Sequence, residues 1–226
     1  MAEIDWLKTA FTFGYDSGEI LDPVPSSTRL KQEILIGGSY RTAFFKAVFP
    51  FLRPDSNVLE LGPGKGSWSR AILNFIPEGT LTTVDFVDVT SWLRPEDYAG
   101  RLICHQAADF SLSELPDDQF DFAWSFGVLC HHTIEQIEIV LTKLLRKTKI
   151  GGVSVHQYAD WNKIYKSGRP LQVADLIQKS VTDLESWWPS NSKPAMAAAA
   201  ERAGWRIVFD DLDLFERDGI IVLKRW

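Results

Sequence analysis

The sequence predicts a doubly wound α/β fold, in which helices cover both faces of a mostly parallel sheet. A buried strand pattern at 58–61 runs into a loop with three glycines and then into a helical pattern. Further short apolar strands alternate with helical stretches as far as residue 158. Two last strand patterns, at 205–209 and 219–224, indicate a closing hairpin.

The composition fits one globular domain that is large enough to bury a core. Of 226 residues 45% are hydrophobic, and a net charge of −6 with a pI of about 5.3 disfavours nucleic acid and anionic membranes as partners. Cys104 and Cys130 lie in apolar runs without a C-x-x-C pair, which is typical of buried thiols in a reducing compartment. We find no signal-peptide or transmembrane pattern, and we therefore expect a cytoplasmic protein.

The loop after the first strand carries an acidic residue ahead of its glycines, in the spacing Glu60-x-Gly62-x-Gly64-x-Gly66. A dinucleotide loop uses G-x-G-x-x-G instead, and a carboxylate there would repel the phosphates. The phosphate loop of nucleotide hydrolases is also excluded, because Lys65 is followed by glycine rather than by serine or threonine. A carboxylate beside glycines favours a ligand with a cationic end that approaches the backbone closely.

This segment resembles motif I of the class I S-adenosylmethionine (SAM) dependent methyltransferases, E/D-x-G-x-G-x-G, and matches it at every specified position. The resemblance covers residues 45–226 and implies a Rossmann-like sheet of seven strands with a C-terminal antiparallel hairpin. It also implies that SAM is the cofactor and that its methionine end lies beside the predicted loop residues, which are Glu60, Gly62, Pro63, Gly64 and Gly66.

The second strand, at 80–84, closes on Asp85. A carboxylate about 20 residues past the glycines is placed to accept hydrogen bonds from both ribose hydroxyls of an adenosine ligand. Asp85 is therefore the predicted ribose ligand, with Asp88 as the near alternative and Phe86 beside it in the cofactor site. Capping of the next turn is the structural alternative for Asp85.

A third strand, at 101–106, is followed by Asp109 and Phe110. By resemblance this is the adenine position of the family, where a carboxylate accepts from the N6 amine and an apolar side chain lies on the ring. We therefore expect Asp109 and Phe110 to bind adenine, with a helix cap as the alternative role of Asp109.

The fourth strand is predicted by Phe120, Phe122 and Trp124, which alternate with smaller or polar residues. Together with its loop it resembles the family pattern D-x-x-x-S-x-x-V-L-x-H, which is matched here by Asp121, Ser125, Val128, Leu129 and His131. The resemblance implies that donor and acceptor meet at this loop and that Ser125 belongs to the cofactor site.

A helix at 133–149 and a fifth strand at 153–158 follow. We expect the end of this strand to deliver His156, Tyr158 and Trp161 to the same rim.

An insertion at about 159–193 is expected to serve the substrate, as insertions before the last crossover helix do in the family. It contains a predicted helix at 171–179, and Trp187 and Trp188 either line a pocket or pack in the core. An alanine-rich helix at 194–203 follows it.

Residues 1–50 are expected to form an arm and a helical cap ahead of the methyltransferase domain at 51–226. The arm mixes aromatic residues with glycine and proline, and a Gly-Gly break separates two helical patterns in the cap. Tyr15, Tyr40 and Arg41 are the predicted substrate-binding residues of this region.

The histidines point to the chemistry. A hydroxyl acceptor must lose its proton, and imidazole is the natural general base near neutral pH. Because His131, His132 and His156 fall on the predicted rim, we expect metal-independent O-methylation of a small-molecule or carbohydrate-type acceptor. N-methylation by positioning alone and a non-catalytic interaction protein are the alternatives. The sequence predicts no metal site and no particular oligomeric state.

Overall fold

Seven strands of the described chain form a single sheet. The computed structural model describes residues 4–10, 12, 15–167 and 189–226. The strands are β1 Asn57–Leu61, β2 Thr80–Asp85, β3 Leu102–Gln106, β4 Phe120–Ser125, β5 Thr148–Ala159, β6 Arg206–Phe209 and β7 Asp218–Lys224. The predicted helix at 171–179 and both Trp187 and Trp188 lie outside the described residues.

The strands lie in the order β3-β2-β1-β4-β5-β7-β6. The first five pair in parallel, and β7 pairs antiparallel with both β5 and β6. The predicted mostly parallel sheet with its C-terminal hairpin is therefore confirmed. Because the strand order reverses between β1 and β4, the ligand site is expected at the carboxyl ends of the strands beside this reversal.

Helices cover both faces of the sheet. Those of the described chain are α1 Ile4–Ala10, α2 Ser27–Ile36, α3 Tyr40–Ala43, α4 Ser67–Leu73, α5 Thr90–Leu93, α6 Ile134–Lys147, α7 Trp161–Lys166 and α8 Lys193–Arg202. Beyond α3 the chain continues as a π-helical turn, Phe44–Val48, and a 3-10 turn, Phe49–Phe51. The helix predicted up to Pro50 thus changes its winding at the end, because a proline ring has no N–H to donate.

Helix α6 begins with a capping box and ends earlier than predicted. Thr133 accepts from the amide of Gln136, whose side chain accepts from the amide of Thr133. The sequence predicts a helix up to residue 149, but Thr148 already pairs with Phe120 as the first residue of β5. A β-branched residue favours the sheet here, so the fifth strand is longer than the pattern at 153–158 indicates.

The cap and the sheet share one hydrophobic core. Tyr40 and Phe44 of the cap are buried with Trp68 and Trp124 on one face of the sheet. The opposite face packs against α6 and α8. The division into a cap at 1–50 and a domain at 51–226 stays a prediction, as does the substrate insertion at about 159–193.

Candidate active site

A cavity lies at the carboxyl ends of β1, β2, β3 and β4, beside the reversal of strand order. Its walls come from the strand ends, the loop after β4, the arm and α1, and they include Leu7, Tyr15, Leu61, Gly62, Gly64, Val84, Asp85, Phe86, Trp92, Ala107, Asp109, Phe110, Leu112, Gly127, Val128, Leu129, His131 and His132. Most of these side chains are apolar, and a few polar groups converge between them, as is typical of a small-molecule site.

The arm lies directly on the glycine loop. The carbonyl of Tyr15 accepts a hydrogen bond from the amide of Lys65 at 2.8 Å. A Cβ added at Gly64, where φ is 54°, would lie 2.5 Å from that carbonyl, and one added at Gly62 would lie 2.3 Å from Val128. The two glycines are therefore required by the close approach of the chain itself on either side of the loop.

The side chain of Glu60 turns away from the cavity. It is 2% exposed, and its carboxylate accepts a hydrogen bond from Ser69 of α4 at 2.5 Å. Burial raises the pKa of Glu60 to about 7, against the opposing effect of the Ser69 hydrogen bond, and the charge of Asp85 raises it further. This carboxylate joins the loop to the helix below it, and contact of Glu60 with the cofactor stays a prediction.

Three other predicted cofactor residues do not line the cavity either. Gly66 is the N-terminal cap of α4 with φ 82°, and Pro63 accepts at its carbonyl from the amide of Gly66 at 3.0 Å. Ser125 is fully buried, with its Oγ 2.7 Å from Nδ1 of His156. Pro63 and Gly66 shape the backbone of the loop, and the Ser125 side chain lies beside its cross-strand neighbour His156 on one face of the sheet.

Asp85 lies in the cavity wall as predicted. Its Oδ1 accepts from the amide of Val87 at 3.0 Å, and burial raises the pKa of its carboxyl while backbone hydrogen bonds oppose the rise. Asp88, the alternative, is exposed, and its Oδ1 accepts from both the amide and the hydroxyl of Thr90 at 2.9 and 2.7 Å. Asp85 is therefore better placed than Asp88 to bind a ligand in the cavity, whereas Asp88 caps the local turn at Thr90.

Asp109, Phe110 and Phe86 meet at one end of the cavity. Asp109 is exposed at the rim, where its carboxylate accepts from the amide of Ser111 at 2.7 Å, and hydrogen bonds from Ser111 lower its pKa. The rings of Phe86 and Phe110 stand edge to face with centroids 5.2 Å apart. Asp109, the predicted hydrogen-bond acceptor for adenine, and the apolar rings of Phe86 and Phe110 therefore lie together at this end of the cavity.

His131 and His132 both line the cavity. Nδ1 of His132 lies 2.8 Å from the carbonyl of Val128, and because a carbonyl only accepts, Nδ1 carries the hydrogen and Nε2 is the basic nitrogen. Burial lowers the pKa of His132 to about 4, so its ring is neutral near pH 7. The ring also stands edge to face with Phe110 at 5.2 Å, toward the end that holds the aromatic pair.

His156 is not on the rim, and this expectation is wrong. It is completely buried between β4 and β5, with Nδ1 2.7 Å from Ser125 and Nε2 2.6 Å from Ser154. Burial lowers its pKa to about 3. The strand extends to Ala159, so His156 lies inside the sheet rather than at its end.

The predicted substrate residues are not all brought together, because only Tyr15 lines the cavity. Tyr40 is buried against Phe126, and Arg41 lies on the exterior over Phe45 with its Nε bonded to Leu21. Tyr158 and Trp161 do not line this cavity either, and their contact with a substrate stays a prediction. The hydroxyl of Tyr158 donates to Asp210 and the indole N–H of Trp161 donates to Pro189, both at 3.1 Å and both away from the cavity.

A buried polar chain behind Gly127 was missed by the sequence reasoning. The amide of Gly127 donates to Oε1 of Gln157 at 2.8 Å, and Nε2 of Gln157 donates to Asp218 at 2.6 Å. Arg217 donates to both oxygens of Asp218, at 3.0 and 2.8 Å. The available signals were a glutamine within the apolar fifth strand and an Arg-Asp pair that opens the last strand.

Neither a metal cluster nor a membrane span is found in the described ranges. Within residues 4–10, 12, 15–167 and 189–226, no three His, Cys, Asp or Glu side chains are grouped so that they could hold a metal ion. In the same part of the chain, no helix combines the length and the apolar character needed to cross a membrane. Metal independence stays a prediction.

The fold and the site define a class I SAM-dependent methyltransferase. A family model described as a methyltransferase domain matches residues 38–208, most of the chain. The chain therefore belongs to this methyltransferase family, as its glycine motif indicates, and SAM is its cofactor. No curated protein sequence matches it significantly.

Solved structures of methyltransferases share the fold. The geranyl diphosphate C-methyltransferase of Streptomyces coelicolor A3(2), in complex with Mg²⁺, geranyl diphosphate and S-adenosylhomocysteine, is 13% identical, with a TM-score of 0.68 over 99% of this chain and 98% of that one. A SAM-dependent methyltransferase from Methanosarcina mazei is 14% identical, with a TM-score of 0.60 over 79% and 96%. The mitomycin 7-O-methyltransferase MmcR is 17% identical, with a TM-score of 0.57 over 76% and 49%. At these identities the likeness concerns the fold alone.

Proposed function

We propose that this methyltransferase transfers the methyl group of SAM to a hydroxyl oxygen of a small-molecule or carbohydrate-type acceptor, without a metal and with His131 as the general base. The observation that carries the proposal is that His131 lines the same cavity as the glycine loop and Asp85. The solved structures of similar fold include an O-methyltransferase and a C-methyltransferase, so this fold serves more than one acceptor atom. The location in the cytoplasm stays a prediction.

The cavity residues fit SAM. Asp85 offers a desolvated carboxylate for the two ribose hydroxyls, and Phe86 and Phe110 offer apolar faces for the adenine ring. Asp109 stands at the same end, where it can accept from the N6 amine. At the other end, Gly62 and Gly64 of the glycine loop line the part of the cavity proposed for the methionine portion. SAM supplies an electrophilic methyl group on its sulfonium sulfur.

The residues of the chain have to place the acceptor and receive one proton. A lone pair of the acceptor oxygen forms the new bond to the methyl carbon while the carbon–sulfur bond breaks and its electrons return to sulfur. The hydroxyl proton passes to an imidazole nitrogen of His131. Such an in-line displacement gains mostly from orientation, with proton transfer contributing roughly 10² to 10⁴ in rate.

His131 is preferred to the other two histidines. His156 is enclosed between two serines within the sheet and has no path to the acceptor. His132 lines the cavity, but a pKa of about 4 makes it a weak base near neutral pH, and its ring packs on Phe110 at the aromatic end. Both histidines contact the carbonyl of Val128, so the preference for His131 rests on the lowered basicity of His132 rather than on position.

The proposal is tested with His131→Ala. Formation of S-adenosylhomocysteine is followed with a panel of phenols, sugars and amines, and binding of S-adenosylhomocysteine is measured by calorimetry. We expect turnover to fall by about 10² to 10⁴ with unchanged binding of S-adenosylhomocysteine. His105→Ala, on β3 and outside the cavity wall, is the matched control and should retain turnover.

Two outcomes would contradict the proposal. If His132→Ala loses turnover and His131→Ala does not, the base has been assigned to the wrong histidine. If neither variant loses turnover on the true acceptor, positioning alone suffices, and N-methylation becomes the better reading of the site.

A further inference from the structure

His132 has one polar atom that the protein itself does not bind. Its amide donates to the carbonyl of Leu129 at 3.1 Å, and its carbonyl accepts from Nδ2 of Asn191 at 2.9 Å. Its Nδ1 donates to the carbonyl of Val128 at 2.8 Å. Within the described ranges Nε2 has no hydrogen-bond partner, although the residue is only 4% exposed and lines the cavity. Nε2 is therefore the one polar atom of His132 that is left for a ligand.

The hydrogen bond at Nδ1 determines what kind of ligand group can bind at Nε2. Because Nδ1 carries the hydrogen that binds Val128, Nε2 presents a lone pair and has to accept. The other tautomer would turn a lone pair toward the carbonyl of Val128 and leave that carbonyl unpaired. Burial also keeps the ring neutral near pH 7, since it lowers the pKa of His132 to about 4. A ligand group at Nε2 must therefore supply an N–H or an O–H.

The neighbours of the His132 ring indicate which part of the ligand supplies this hydrogen. The ring stands edge to face with Phe110 at a centroid distance of 5.2 Å, and Phe110 stands in the same way against Phe86. Asp109, the residue before Phe110, also lines the cavity. A carboxylate and an imidazole lone pair thus both adjoin Phe110, one along the chain and one through the ring contact. The proposed adenine end of the cavity therefore offers two hydrogen-bond acceptors.

We propose that Nε2 of His132 accepts a hydrogen bond from the exocyclic N6 amine of the SAM adenine and so selects adenine over 6-oxopurines. This inference rests on the proposed placement of adenine at the end with Phe86 and Phe110. The N6 amine carries two hydrogens, so Asp109 accepts one and His132 accepts the other. A 6-oxopurine has an oxygen at this position, and its lone pairs would face two acceptors with no hydrogen between them.

His132→Phe tests the inference, because it keeps a flat ring against Phe110 and removes the lone pair. Binding is measured by calorimetry with S-adenosylhomocysteine and with S-inosylhomocysteine, its 6-oxo analogue. The readout is the ratio of the two dissociation constants, in which general effects on the shape of the site cancel. We expect the wild type to prefer S-adenosylhomocysteine and His132→Phe to lower this preference by about tenfold. A wild type that binds both ligands equally would overturn the inference.

The matched control is His105→Phe, the same substitution on β3 and outside the cavity wall, which should leave the ratio unchanged. Asp109→Ala removes the other acceptor proposed for the amine and should also lower the ratio. A His132→Phe variant that keeps the wild-type ratio, while Asp109→Ala lowers it, would overturn the role of His132 and leave the adenine site standing. If neither variant lowers the ratio, the adenine lies elsewhere, and its placement and the inference fail together.

Turnover separates this inference from the proposed O-methylation. The binding measurements need neither a methyl acceptor nor a general base, so they do not depend on the role of His131. A His132→Phe variant with an unchanged ratio and a lower kcat at saturating SAM would overturn the inference, because Nε2 would then serve the methyl acceptor.

A measurement on the wild type covers the case in which His132→Phe does not fold. The nitrogen NMR resonance of Nε2 is followed while each ligand is added. It should shift when S-adenosylhomocysteine binds and stay in place with S-inosylhomocysteine, because only the first ligand brings a hydrogen to the lone pair. Equal shifts with both ligands, or none with either, would overturn the inference.

Discussion

The carbonyl of Tyr15 accepts a hydrogen bond from the amide of Lys65 at 2.8 Å, which joins the N-terminal arm to the glycine loop. Tyr15 also forms part of the cavity wall. Ser17 strengthens the junction, because its amide donates to the hydroxyl of Ser67 at the start of α4. The cofactor loop and the one predicted substrate residue that reaches the cavity are therefore held by the same few contacts.

Asp85→Ala should weaken binding of S-adenosylhomocysteine by roughly 1.5 to 3 kcal/mol, the range for losing hydrogen bonds to a charged group. The physical reason is that the ribose hydroxyls lose their acceptor within a partly desolvated wall. Isothermal titration gives the measurement. Asp88→Ala is the control, because that carboxylate is exposed and bonded to Thr90, and equal losses in both variants would refute the choice of Asp85.

Gly64→Ala should lower the free energy of unfolding by about 1 to 3 kcal/mol more than Gly100→Ala does. Both glycines have positive φ, at 54° and 83°, so both variants carry backbone strain. Only at Gly64 would the new Cβ meet another atom, the carbonyl of Tyr15 at 2.5 Å, since nothing lies within 4 Å at Gly100. Urea unfolding measures both, and equal costs would show that the arm does not press on the loop.

The pH dependence of turnover distinguishes the two cavity histidines. Only a neutral imidazole accepts a proton, so the rate rises with pH through the ionisation of the base. Because the pKa of His132 is lowered to about 4, a rate governed by His132 would be level above about pH 5. A kcat/KM that still rises with pH above about pH 5 would exclude His132 as the base, and this is the result we expect.

His156 should make the protein less stable as the pH falls. Its pKa in the folded state is lowered to about 3 from the usual 6.5, so between these values the unfolded chain binds a proton that the folded chain does not. The stabilisation is complete above pH 6.5 and declines by up to about 1.4 kcal/mol for each pH unit below it. Glu60, with its pKa raised from 4.5 to about 7, acts in the opposite sense as the pH rises between those values.

The contribution of His156 is isolated by comparison with His156→Gln. The free energy of unfolding is measured from pH 7 to pH 4, and the variant should show a less positive slope against pH. An identical slope in both proteins would mean that His156 does not stay neutral in the core. If the glutamine variant does not fold, Ser154→Ala tests the same environment through one hydrogen bond of the buried ring.

Local sequence patterns were sufficient to predict the fold, because the strand period, the helix period and the glycine motif each extend over only a few residues. The apolar alternation at Phe120, Phe122 and Trp124 and the carboxylate that ends β2 at Asp85 needed no long-range information. The motif spacing from Glu60 to Gly66 likewise indicated the SAM-dependent class before any contact was known. These features are set by neighbours along the chain.

The tertiary structure decided which side chains reach the cavity. His156 and Tyr158 follow the strand period correctly, yet they lie within the sheet because β5 continues to Ala159. The carboxylate of Glu60 turns to Ser69, whereas Tyr15, far away in sequence, is carried onto the glycine loop by the arm. Sequence spacing determines on which element a residue lies, but the direction of a side chain depends on strand length and on packing between distant segments, which no local pattern encodes.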